Sequence, residues 1–101
     1  MVNSTASGGG VAEILHRLVR LLNGLGVDTR WHVLSGDDRF FRITKSIHNA
    51  LHGAHAEVTD DDWRHFLDVT AAAASELSLS GDLVLVHDPQ PAALVHLLRR
   101  P

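Results

Sequence analysis

Cysteine and tyrosine are both absent from this 101-residue chain. Without thiols, disulfides and thiolate-held metals are excluded, and the redox compartment is left open. No stretch approaches the roughly 18 consecutive apolar residues of a membrane-spanning helix, and Met1 is followed by polar residues instead of a basic and then apolar leader. The expectation is a soluble cytoplasmic protein. Basic residues are also in deficit, with a formal net charge of −3. A nucleic-acid partner would call for a basic stripe, and a membrane-surface partner for a polybasic anchor, so neither is expected.

At 45% hydrophobic and 21% charged, the chain has ordinary globular proportions and length for one domain over 1–101. A domain of this size hides roughly 60–70% of the surface its unfolded chain exposes, so a core is feasible and stability modest.

Glycine is concentrated where it matters. Asn3-Ser4-Thr5-Ala6-Ser7 runs into Gly8-Gly9-Gly10 and then into apolar residues at helical spacing, Val11, Ile14, Leu15, Leu18, Val19, Leu22 and Leu25. This reads as a short strand, a turn and a helix stopped by Gly24 and Gly26. Glycines let the backbone take positive φ and approach a ligand, and their amides can converge on an anion at a helix N-terminus. The run fits neither the dinucleotide fingerprint nor the P-loop. A flexible tail before the helix is the plain alternative.

Thr29 to Leu34 is rich in β-formers and meets the turn Ser35-Gly36-Asp37-Asp38, which predicts a second strand. Phe40, Ile43, Ile47 and Leu51 form a helical stripe ending at Gly53. Thr59 and Asp62 have the spacing of a capping box, and Asp60-Asp61-Asp62 suits a positive helix start. Trp63, Phe66, Leu67, Thr70, Ala74 and Leu77 are the expected buried stripe of that helix, whose alanine run favours close packing. Asp82 to Val86 has the continuous apolar pattern of a covered parallel strand, and a last helix is expected over Ala92 to Leu98. The order strand, helix, strand, two helices, strand, helix implies an α/β fold with a three-layer, Rossmann-like parallel sheet.

In such a sheet, ligands sit at the carboxyl ends of the strands. The glycine run follows the first strand and His87-Asp88-Pro89-Gln90-Pro91 the last, so both are expected on one rim. His87 can donate to a sugar hydroxyl or a developing anion, and Asp88 can accept from hydroxyls. Equally, Asp88-Pro89 can merely turn the chain, with Asp88 or Gln90 capping the last helix. His48, His52 and His55 are spaced for one helical face, but Gly53 interrupts it and no carboxylate completes a set, so no metal is expected. With no serine elbow and no acidic pair at obvious spacing, any catalysis would rest on positioning and electrostatics.

Three segments, Asn3 to His16, Thr44-Lys45-x-x-His48-Asn49-x-Leu51-x-Gly53, and Val86 to Leu94, together resemble trehalose synthases, retaining glycosyltransferases of family 4 with the GT-B fold. The resemblance implies transfer of glucose from a nucleotide-glucose donor to glucose, with those two sugars as partners and no cofactor. It gives Gly8, Gly9 and Gly10 the donor diphosphate, makes His87, Asp88 and Gln90 candidates for sugar contacts, and places Lys45, His48 and Asn49 loosely on the acceptor side. It implies no protein nucleophile. It also implies that this chain is a truncated N-terminal GT-B half, inactive alone without a C-terminal half. The alternative from another class is a stand-alone, non-catalytic α/β module that binds or self-associates, as a homodimer through a sheet edge or the alanine-rich helix.

Overall fold

A computed structural model describes residues 1–98, so the domain expected over 1–101 is seen as far as Leu98. Strand β1 (Val2–Asn3) leads through a loop into helix α1 (Gly10–Gly24). Strand β2 (His32–Val33) precedes α2 (Asp38–Leu51), α3 (Asp60–Glu76) and the single turn α4 (Leu94–Leu97).

The sheet is parallel and short. Val2 is opposite His32 and Asn3 opposite Val33. On its other side Val2 forms a parallel bridge with Val86, where the Val2 amide donates to Leu85 O (2.8 Å) and the His87 amide to Val2 O (2.9 Å). Strand β1 therefore lies between β2 and the 82–86 stretch. This is an α/β chain, but the third strand expected over 82–86 amounts to one bridge, because only Val86 meets the two-residue β1.

Local signals explain the helix ends. Asp37 caps α2 by accepting from the Phe40 amide at 2.7 Å. Thr59 and Asp62 make the capping box of α3: the Asp62 amide donates to Thr59 Oγ1 (3.1 Å) and the Thr59 amide to Asp62 Oδ2 (3.3 Å). Past α2, Gly53 turns with φ 94°, a conformation that costs glycine little.

The core gathers Val2, Leu34, Phe40, Ile43, Phe66, Ala73 and Leu94 between β1 and helices α2 to α4. Phe40 is fully buried and stacks on Phe66 with ring centroids 5.6 Å apart. Burying one such ring is worth about 1.5–3 kcal/mol. Thr70 is also fully buried, which its hydroxyl tolerates by donating to Phe66 O at 2.7 Å.

The apolar spacing of the first helix does not translate into full burial: in α1 only Ala12 and Leu15 are buried, while Ile14 (60%) and, just after the helix, Leu25 (71%) are exposed. One expected stripe is corrected. In α3 the buried phase runs through Phe66, Thr70 and Ala73, leaving Trp63 and Leu67 outside. The last helix is also shorter than expected. Turns over Pro89 to Ala93, with the Leu94 amide bonded to Pro91 O at 2.9 Å, occupy its first residues.

Candidate functional site

The loop between β1 and α1 starts from a buried asparagine. Asn3 is 2% exposed; its Oδ1 accepts from Trp31 Nε1 at 2.8 Å and its Nδ2 donates to Thr5 O at 2.7 Å. Further on, the Ser7 amide donates to Thr5 Oγ1 at 3.2 Å, and His16 Nε2 donates to Ala6 O at 2.7 Å. Gly8 and Gly9 then take φ of 74° and 81°, and Gly10 opens α1.

Gly9 is the N-cap of α1 and supplies no side-chain cap, in contrast to Asp37 and Thr59 at the next two helices. A Cβ placed on Gly8, Gly9 or Gly10 would meet nothing within 4 Å. The first-turn amides therefore have no capping side chain at the positive end of the helix dipole. The loop is tied at Asn3, Thr5 and Ala6, so it is not a loose tail before the helix.

The second loop leaves the adjacent strand at the same end of the sheet. Directly after the His87 amide bonds Val2 O, Asp88 adopts φ 68°, the single non-glycine residue with positive φ among those described. Aspartate tolerates this region better than most side chains, at some cost in strain. Pro91 is fully buried. His87 Nε2 and Gln90 Oε1 are buried with no hydrogen-bond partner among the described residues. Orphaned buried polar atoms are rare because each carries a desolvation cost. Neither Asp88 nor Gln90 caps α4, whose N-cap is Ala93.

Lys45, His48 and Asn49 are exposed on α2. The rings of His48 and His52 lie 4.6 Å apart, and His55 pairs with Glu57, so the three histidines do not converge. Among the described residues no group of three or more potential metal ligands comes together. The glycine loop and the loop from His87 to Gln90 follow neighbouring parallel strands, whereas Lys45, His48 and Asn49 lie on α2. Trp31 and its tie to Asn3 have no signature in the sequence, because they are 28 positions apart.

A groove of about 420 Å³ opens on the opposite rim, lined by residues that include Leu22, Val27, His32, Leu79 and Leu83. Burial, with the nearby chain-terminal ammonium and Arg30, lowers the His32 pKa. It holds none of the predicted residues and lies at the amino ends of the strands. Ligands of parallel sheets are commonly found at the carboxyl ends of the strands, the rim from which the two loops leave.

Over residues 1–101 the chain matches the family described as trehalose synthase, N-terminal domain. It is 48% identical over 101 residues to the trehalose synthase of Pyrococcus horikoshii and 46% identical to that of Thermococcus litoralis, covering 98% of this chain and 24% of either relative. A trehalose phosphorylase of Pleurotus pulmonarius is 36% identical over 109 residues, covering 97% of this chain and 15% of that protein. The chain thus spans about a quarter of the length of the trehalose synthases it matches.

Proposed function

Because the chain belongs to the trehalose synthase N-terminal domain family, we propose that it is an N-terminal fragment, part of the N-terminal half, of a retaining GT-B glucosyltransferase making trehalose from a nucleotide-glucose donor and glucose. The reading is carried by one observation: the uncapped glycine loop and the loop holding the orphaned His87 and Gln90 atoms leave adjacent parallel strands at the same end. Similarity to proteins named trehalose synthase and trehalose phosphorylase supports the trehalose part of it.

In this reading the amides of Gly8 to Gly10 hold the donor diphosphate, whose charge suits the helix terminus. His87 Nε2, when protonated, donates to a sugar oxygen; Gln90 Oε1 and the Asp88 carboxylate accept from hydroxyls. The bond from the anomeric carbon to the diphosphate breaks, a bond to the acceptor oxygen forms, and the acceptor proton passes to the leaving phosphate. No protein nucleophile is required, and preorganised donors around the departing anion supply the stabilisation. Lys45, His48 and Asn49 are assigned to the acceptor side by the family likeness.

The test is a titration with UDP-glucose, ADP-glucose and inorganic pyrophosphate, following the Gly8 to Gly10 amides by NMR. Saturable shifts abolished by Gly9→Val support the reading. A folded chain without shifts at millimolar ligand sinks it. The second reading, a non-catalytic self-associating module, is favoured by a different observation, the exposed Ile14 and Leu21 on α1 and Leu25 just after it.

A further inference from the structure

The glycine loop needs something to hold it. Its two consecutive positive-φ residues carry no side chains, and glycine loses more conformational freedom on ordering than any other residue. We infer that Trp31 and His16, neither of which reaches the ligand space, are positioning residues that set the loop in its anion-accepting shape. This rests on the reading of Gly8 to Gly10 as a diphosphate cradle.

The argument starts at the indole. Trp31 Nε1 can only donate, so the Asn3 atom facing it at 2.8 Å must be the carbonyl oxygen. That fixes the otherwise ambiguous amide, and Nδ2 must point to the loop, where it donates to Thr5 O at 2.7 Å. Asn3 is buried, so breaking either bond would strand a polar atom away from water.

His16 acts on the next residue. Ala6 O can only accept, so His16 Nε2 must carry the proton in its 2.7 Å contact. The imidazole is held for this by Trp31, which meets it edge to face with centroids 4.7 Å apart and planes at 87°. One residue ahead of β2 therefore orients both side chains that grip the loop, one at Thr5 and one at Ala6. Neither ring comes within 4 Å of the position a side-chain carbon would take on Gly8, Gly9 or Gly10.

The experiment uses the intact chain with Trp31→Phe, His16→Leu and His16→Gln, and reads two things by NMR. The first is the order of the Gly8 to Gly10 amides without ligand, from heteronuclear relaxation; the second is the dissociation constant for inorganic pyrophosphate. Trp31→Phe keeps a ring against His16 but removes the N–H, and His16→Leu removes the donor to Ala6. Both are expected to loosen the free loop and weaken pyrophosphate about five- to tenfold, the size of one or two lost hydrogen bonds. His16→Gln, whose amide can still donate to Ala6 O, is expected to stay within about twofold. A merely structural role would lower the melting temperature without this rescue.

Unchanged loop order in both Trp31→Phe and His16→Leu overturns the inference. A loop that loosens in the variants while the unsubstituted chain binds no pyrophosphate supports the positioning role and overturns the diphosphate reading instead. His16 is exposed, so its variants test the role even if Trp31→Phe perturbs the fold.

Discussion

Gly10 separates the two demands placed on the glycine loop. Unlike Gly8 and Gly9 its φ is not positive, and a methyl there would meet no protein atom. Gly10→Ala should leave thermal stability unchanged or raise it by up to about 1 kcal/mol, since alanine is the better helix residue. The same methyl would stand in front of the first-turn amides, so pyrophosphate binding should fall in the NMR titration. A destabilised variant, or one that binds as before, would contradict this placement. At this scale the sequence is readable where chemistry is local. Consecutive glycines before a helix announce positive φ, whereas the same conformation at Asp88 and the bond from Trp31 to Asn3 depend on how strands meet, which no short window contains.

Helices α2 and α3 are joined by charge as well as by the Phe40 and Phe66 rings. Arg39 Nη2 donates to Asp61 Oδ2 (2.6 Å) and Asp62 Oδ1 (2.9 Å), and His65 Nε2 donates to Asp37 Oδ1 (2.9 Å). The Arg39 bonds hold the carboxyls of Asp61 and Asp62 below the ordinary aspartate range, and the His65 bond, with the Phe40 amide, does the same for Asp37. A carboxyl whose folded pKa is depressed stabilises the fold above its unfolded pKa, about 3.9, and that contribution is lost as pH falls through the folded value. Urea midpoints should therefore hold steady from pH 7 to about 5 and drop below about 4. Arg39→Gln should flatten that drop; an acid limb as steep as before would count against the clasp. The acidic run was readable as a capped helix start because Thr59 and Asp62 are neighbours in sequence, but its second use, gripping Arg39 across the helix pair, was not. Nor was the phase of α3, because Trp63 and Leu67 fit the helical period as well as the residues that are buried.

As a whole the molecule is open, with extents of 44 × 31 × 21 Å and a radius of gyration of 14.4 Å, against about 13 Å for an independent domain of this length. Leu83 (75%), Leu21 (59%) on α1 and Leu25 just after it remain uncovered, although Leu25 shares the helical apolar spacing. Amphipathic spacing tells which face is apolar, but not whether these residues suffice to cover it. Sedimentation velocity at rising concentration should distinguish the two proposed readings. A dimer that Leu21→Glu abolishes favours the self-associating module, and a monomer at every concentration favours cover from elsewhere in a longer enzyme. The placement of β1 has a further consequence, for the order of folding. Its partners are His32 on one side and Val86 on the other, so the sheet closes only after a chain loop of most of the molecule has been brought together, whereas α2 and α3 are consecutive and dock cheaply. The helix pair can form early, and the glycine loop, hanging from the last strand to be sandwiched, is among the last parts of the molecule to acquire its shape.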